Sequence, residues 1–184
     1  TYTFREDPQT GWFQSGPEGG EYTETLLSGD ISENNNFLNY QQATKSGTKY
    51  EDDDADGVRD GGELGLSGWT ISAFADTNGN GVLDASELSA GAVATDVTDG
   101  SGDYSLTLDP GDYIIVETAQ SSWFESPDAD TMEVNDGGAG GYGEYGYAIT
   151  LTSGEHESGN DFANYQPFDI SGYKWHDINA DGVW

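Results

Sequence analysis

Apolar residues along this 184-residue chain come in short runs, each closed by a turn rich in glycine, aspartate or proline. Where a run can be phased, it alternates. Tyr2, Phe4 and Glu6 share one face with Thr3 and Arg5 on the other, and Tyr113, Ile115 and Glu117 repeat the first face. No window sustains the 3.6-residue apolar period of an amphipathic helix. The pattern predicts strands at 46–50, 68–75, 91–97, 103–108, 112–119, 146–152 and 160–166. Turns are expected at Asp99-Gly100-Ser101-Gly102, Asp109-Pro110-Gly111 and Ser153-Gly154. About seven short strands with loops at both ends make an all-β chain, most simply a β-sandwich.

The pattern also repeats. Tyr22 to Val58 aligns without a gap on Tyr147 to Val183, pairing Phe37, Asn39 and Tyr40 with Phe162, Asn164 and Tyr165, and Lys49 with Lys174. Upstream, Tyr2, Glu6, Gln9, Trp12 and Phe13 match Tyr113, Glu117, Gln120, Trp123 and Phe124. A Gly-, Asp- and Tyr-rich insertion around 128–146 absorbs the difference in offset. The expected organisation is the closing part of one repeat (1–45), a complete repeat (46–169) and the opening of another (170–184). On this reading both ends are cuts in a longer tandem array, which accounts for the lack of a leader peptide. Residues 167–169 leave little linker, so successive units form a stiff string.

Charge changes the picture next. Thirty-five acidic residues against five basic ones give a formal net charge of −30. Such a chain has no counterion-replacing surface for nucleic acid, and it repels anionic membranes. No apolar run approaches the ~20 residues that span a bilayer. The absence of cysteine excludes disulfides, Fe–S clusters and Cys-ligated zinc. Aromatic residues at 12% and 27 glycines argue for a folded, turn-rich chain rather than a disordered acidic tail.

Much of the acidity follows the pattern D-x-[DN]-x-[DN]-G-x₅-E. The first copy has Asp52, Asp54, Asp56 and Gly57, then Asp60 and Glu63; the second has Asp76, Asn78, Asn80 and Gly81, then Asp84 and Glu87. A third begins at Asp177, Asn179, Asp181 and Gly182. Ca²⁺ takes six to eight oxygens, and a tightly wound loop points alternate positions inward. Positions one, three and five offer side-chain oxygens, and position seven (Val58 or Val82) a backbone carbonyl. Position nine binds directly or through water, and the glutamate at twelve closes the sphere. Magnesium can compete, but so flexible and carboxylate-rich a loop favours the larger ion. The flanks Gly-Thr-Lys-Tyr and Gly-Trp-Thr-Ile-Ser-Ala-Phe read as strands, so these are EF-hand-like loops set between strands. Seven acids between Glu51 and Glu63 repel one another, and order there is expected to depend on calcium.

Lys49, Glu117 and Asn164 stand out because each has a repeat counterpart, in Lys174, Glu6 and Asn39. In a dry core a neutral lysine can attack the asparagine carbonyl while a protonated glutamate shuttles protons, leaving a Lys–Asn isopeptide bond. Two placements of Lys49 are open. It joins this cluster, or it pairs with carboxylates on a solvated face, as follows if its neighbour Tyr50 points into the core.

The motifs SGTKYEDDDADGVRDGGE, GLSGWTISAFADTNGNGVLDASE, DGSGDYSLTLDPGDYIIVE and DFANYQ resemble SdrD B-like repeats of bacterial surface proteins, related to Cna B-type domains. The resemblance implies a prealbumin-like, Ig-like β-sandwich, calcium in the acidic loops and a place in the stalk of a secreted adhesin. It also implies a Lys49–Asn164 isopeptide assisted by Glu117 in those relatives that cross-link. Other B-like repeats rely on calcium alone, and the 128–146 insertion departs from the compact pattern.

The function expected is therefore structural: an extracellular, calcium-rigidified module of a cell-surface adhesin, sheath or filament. Its partners would be neighbouring repeats or subunits, with a host or matrix ligand open and neither nucleic acid nor membrane insertion. The alternative is a carbohydrate- or protein-binding module that uses Tyr142, Tyr145 and Tyr147 as an aromatic platform, with Trp123 and Phe124 nearby. Those aromatics otherwise pack over the open end of the sandwich. Turnover catalysis is not expected, since His156 and His176 belong to no repeated site. Complementation of neighbouring chains by strand addition is the other reading of the two ends, and a cut through a continuous array is the preferred one.

Overall fold

The computed structural model describes residues 1–183. In chain order the strands are β1 (Tyr2–Phe4), β2 (Phe13–Gly16), β3 (Tyr22–Glu24), β4 (Leu38–Tyr40), β5 (Ala43–Glu51) and β6 (Thr70–Ala75). After a short helix α1 (Ala85–Ala90) come β7 (Ala94–Val97), β8 (Asp103–Leu108), β9 (Gly111–Thr118), β10 (Phe124–Glu125) and β11 (Met132–Glu133). A 3₁₀ turn (Ala139–Gly141) leads into β12 (Tyr142–Leu151), β13 (His156–Glu157) and β14 (Phe162–Tyr165). Each expected strand is present, several with shifted ends. The first starts at Ala43 rather than 46, and Ala43 is itself fully buried in the core.

Two five-stranded sheets face each other. One is built around β5, which pairs antiparallel with β8 and parallel with β13 and β14, with β10 beyond β14. The other runs β11-β12-β9-β6-β7, all antiparallel. Alternation does the folding. In β8 the residues Tyr104, Leu106 and Leu108 are buried while Asp103, Ser105 and Thr107 face solvent. They meet Ile71, Ala73, Ile115, Tyr147 and Leu151 of the opposite sheet, with Phe162 of β14, in one continuous core. Each large side chain so buried contributes about 1.5–3 kcal/mol.

The insertion is part of the fold. Val134 is fully buried against Phe74, Leu83, Ile114 and Val116 on the outer face of the second sheet. Its carbonyl accepts the Leu83 amide at 2.7 Å, tying the insertion to the second acidic loop. Asn135 is buried too, and its amide donates to the carbonyls of Ala139 and Gly143 at 3.1 and 3.0 Å. The aromatic platform of the alternative reading is not assembled. Tyr147 lies in the core, Tyr142 is half-buried edge-on to Phe74 at 5.1 Å, and Trp123 packs edge-on to Trp69 at 5.7 Å.

Ahead of β5, residues 1–40 pair as two small ribbons, β1–β3 and β2–β4, outside the two five-stranded sheets. Among the described residues, no helix is long and apolar enough to cross a membrane.

Candidate functional site

Lys49 ends up inside. Both faces are covered where β5 approaches the first acidic loop, so the alternation that was expected to send Lys49 outward does not apply. Tyr50 is buried on the loop side, where its hydroxyl donates to the Gly57 carbonyl at 3.2 Å and Arg59 lies over its ring. Lys49, on the opposite side, is fully buried between the sheets with its ammonium 4.6 Å from the centre of a Trp69 ring. The solvated placement is thereby excluded.

The three residues singled out by the repeat meet there. Lys49 Nζ donates to Asn164 Oδ1 at 2.7 Å, Asn164 Nδ2 donates to Glu117 Oε1 at 2.7 Å, and Lys49 Nζ lies 3.3 Å from Glu117 Oε2. Lys49 and Glu117 have no exposed surface, and Asn164 has almost none. The parallel pairing that sets Phe162 beside Lys49 carries Asn164 to the same end of the sheet. Glu117 arrives from β9 in the facing sheet, so the cluster ties the two sheets together.

Burial raises the Glu117 carboxyl well above the ordinary carboxylate range, against the opposing pull of Lys49 and Asn164. Burial likewise lowers the Lys49 ammonium, against the attraction of Glu117. Both shifts favour the uncharged pair, a carboxylic acid beside a free amine. Nearby Glu125 pushes Glu117 further up, and its own carboxyl is raised by burial while accepting the amides of Glu144 and Tyr145 at 2.8 and 3.2 Å. A cavity of about 10 Å³ lined by Glu117, Glu125 and Asn164 adjoins the cluster. A nucleophilic amine, an amide carbonyl and a proton-carrying acid are the components of amide exchange with loss of ammonia.

The acidic loops wind alike. Asp52 accepts the amides of Ala55, Asp56 and Gly57; Asp76 accepts those of Gly79, Asn80 and Gly81; Asp177 accepts those of Asp181 and Gly182. Position five turns back on position seven each time, as Asp56 to Val58, Asn80 to Val82 and Asp181 to Val183. The glycine at position six has a φ of 74 to 79° in all three, a conformation that side chains disfavour. Carboxylate oxygens of Asp52, Asp54 and Glu63 lie within 4.8 Å of one another. Asp60 stays outside that trio, and its amide donates to Glu63 at 2.8 Å. In the second loop Asp84 gathers the side-chain amides of Asn78 and Asn80, and Glu87 accepts the amides of Thr77 and Asp84.

These donors are hard oxygens of the kind calcium takes, and repulsion among them is visible. The charge of Asp56, with that of Asp52, raises the Asp54 carboxyl above its ordinary range. Burial acts to raise Asp52 as well, but hydrogen bonds from Ser126 and the Gly57, Ala55 and Asp56 amides hold it below the usual range. One flank differs from expectation. The second loop leaves into helix α1, in which Asp84 is the N-cap and Glu87 completes a capping box. A further trio, Glu133, Asp136 and Glu144, comes within 4.8 Å in the insertion, which offered no repeat to single it out.

No family model matches the chain. Serine-aspartate repeat-containing protein F of Staphylococcus epidermidis is 30% identical over 138 residues, 73% of this chain. This chain is a homologue of serine-aspartate repeat proteins. Strain ATCC 12228 / FDA PCI 1200 of the same species has a counterpart matching to the same extent. The kinship agrees with the SdrD B-like resemblance and with an extracellular or cell-surface location. The chain spans about 7% of the length of these relatives. Among solved structures, the shaft pilin SpaA of Lactobacillus rhamnosus GG has a TM-score of 0.44 at 15% identity, over 70% of this chain and 52% of that one. The minor pilin GBS52 of Streptococcus agalactiae has a TM-score of 0.40 at 13% identity, over 84% of this chain and 67% of that one. These likenesses are faint, and the two-sheet architecture stands on its own strand pairings.

Proposed function

We propose that this chain is a structural segment of an extracellular stalk or filament, made rigid by calcium and by a covalent bond between Lys49 and Asn164. The observation that carries the reading is the buried Lys49–Glu117–Asn164 cluster, which joins the opening strand of the unit to its closing strand and to the facing sheet. Its separation in sequence is 115 residues, so a bond there closes nearly the whole unit into one covalent loop. With Lys49 neutral, its nitrogen attacks Asn164 Cγ while Glu117 donates a proton to the departing amide nitrogen. Glu117 then takes back the surplus proton from the new amide nitrogen, and one ammonia leaves.

Calcium would be held in the first loop by Asp52, Asp54, Asp56, Asp60, Glu63 and the Val58 carbonyl. The second loop offers Asp76, Asn78, Asn80, Asp84, Glu87 and the Val82 carbonyl, and the third begins with Asp177, Asn179 and Asp181. The ion supplies positive charge where carboxylates otherwise repel, and so couples loop order to metal. The tandem organisation has support in residues 1–45. There Asn39 Nδ2 donates to Glu6 at 2.8 Å, as Asn164 does to Glu117, and Phe13 stacks on Tyr40 as Phe124 stacks on Tyr165. The role is structural rather than catalytic, with neighbouring repeats or subunits as its partners.

Intact mass tests the bond. The wild-type chain is expected to weigh less than its sequence by at least one ammonia, and Lys49→Ala to lack one of those losses. An equal ammonia deficit in both overturns the Lys49–Asn164 bond. A melt that does not move when calcium is chelated overturns the metal reading.

A further inference from the structure

A second buried lysine sits four residues before Lys49 on the same face of β5. Lys45 has no exposed surface, and its ammonium donates to Asn160 Oδ1 and to the Ser46 carbonyl, the latter at 3.2 Å. A Tyr147 ring lies 5.8 Å from it, as Trp69 lies beneath Lys49. The two lysine–asparagine pairs have the same sequence separation, 115 residues, because β5 and the segment entering β14 run parallel and both pairs keep one register.

That segment is pressed onto β5. Tyr104 donates to the Asn160 carbonyl at 2.7 Å, Tyr147 to the Asp161 carbonyl, and the Thr48 amide to Asp161 Oδ1 at 2.7 Å. A Cβ at Gly47 would collide with the Asn160 carbonyl oxygen, so glycine is what permits the close approach. Lys45 lacks a carboxylate within ion-pair distance among the described residues. Its charge is instead felt by Glu157, which lies in register with it on β13, and by Asp161. Burial lowers its ammonium to about 8, against the attraction of those two acids, so a free amine forms readily at mildly alkaline pH.

We propose that Lys45 and Asn160 are the site of a second intramolecular amide bond, parallel to the one between Lys49 and Asn164. The inference extends the cross-linking reading to a second pair of residues, and the two stand or fall separately. The Lys45 nitrogen bonds to Asn160 Cγ, the bond from Cγ to the side-chain nitrogen breaks, and ammonia departs. Starting from the ammonium form, one proton leaves with the ammonia as ammonium, relayed by Glu157 or Asp161, and no oxidant or cofactor is consumed. Held geometry replaces a bimolecular encounter, which is the main source of rate where the acid is less well placed than Glu117.

The test uses intact mass and tryptic mapping of the denatured whole chain. Its basic residues are Arg5, Lys45, Lys49, Arg59 and Lys174, and an amidated lysine resists trypsin, so each site reports on itself. The expected result is loss of two ammonias, no cleavage after Lys45 or Lys49, and a branched peptide joining Lys45 to Asn160. Lys45→Arg should then lose one ammonia only. One ammonia lost, with cleavage after Lys45 and not Lys49, overturns the second bond and leaves the first. The reverse cleavage pattern upholds the Lys45 bond and removes the Lys49 bond. No loss of ammonia, with cleavage after both, overturns both.

Discussion

The same local pairings occur twice in this chain, once with a core and once without. In the complete unit, Tyr113 faces Ile149 across β9–β12, Phe124 faces Tyr165 across β10–β14, and Asn164 reaches Glu117. In residues 1–45, Tyr2 faces Glu24, Phe13 faces Tyr40, and Asn39 reaches Glu6. The stacked aromatic pairs even share an interplanar angle of 27°. What separates them is the opposing sheet. Glu117 is fully buried beside a lysine, whereas the bond between Asn39 and Glu6 is open to water. Local sequence therefore specifies the strand pairs, and the opening strand with its lysine turns a solvated hydrogen bond into a buried polar cluster.

The largest break in this comparison is expected from Lys49→Ala. It leaves the buried Glu117 acid without the group beside it, and a buried polar group that loses its partner costs about 1–3 kcal/mol. It also removes the proposed amide link across 115 residues, whose effect by analogy with a disulfide would be about 5 kcal/mol. Asn39→Ala, the matching cut in the open half, should cost less than about 1 kcal/mol. Urea unfolding of both variants in the whole chain decides it, and equal losses would erase the distinction.

Chelating calcium comes next. On the proposed calcium reading, two loops each at about 100 times Kd would contribute about 5 kcal/mol together, so that chelation lowers Tm by about 10–20 °C for a chain of this size. Amide exchange should quicken in 52–63 and 76–87 while that of β1–β3 stays unchanged. Uniform loss of protection would mean that the metal acts on the whole chain rather than on its loops.

The smallest contrast lies between loops. Asp52 is buried and also takes the Ser126 hydroxyl, whereas Asp177 accepts the Asp181 and Gly182 amides of its own exposed loop. Without metal, Asp52→Ala should still cost about 1–3 kcal/mol by orphaning buried donors. Asp177→Ala should stay within about 0.5 kcal/mol. Thermal melts in chelator measure both.

Much of this was legible in the residues. Alternation located every strand of the two sheets except the two-residue pieces β10, β11 and β13, which are too short to show a period. Recurrence located Lys49, Glu117 and Asn164, because each has a partner elsewhere in the chain. Lys45 escaped for the same reason, since its repeat position is held by Ile170. The spacing to Asn160 was visible but nothing singled it out. Helix α1 escaped because six residues carry no apolar stripe, and its one signal, Asp84 with Glu87, had already been read as metal ligands. The interior place of Lys49 could not follow from alternation, because a loop folded over Tyr50 gives β5 two buried faces there. Nor did composition disclose that Val134 and Asn135 in the Gly-rich insertion are core residues.

The parallel pairing of β5 with β14 has a mechanical consequence. Chain enters at the start of one strand and leaves at the end of its neighbour, so tension on the two ends slides them past each other. Their hydrogen bonds are then loaded together in shear rather than peeled one at a time. Lys49 and Lys45, each holding an asparagine of the closing segment, lie across that slip plane. A pull on the two ends of the unit would meet these side chains before it reached the hydrophobic core.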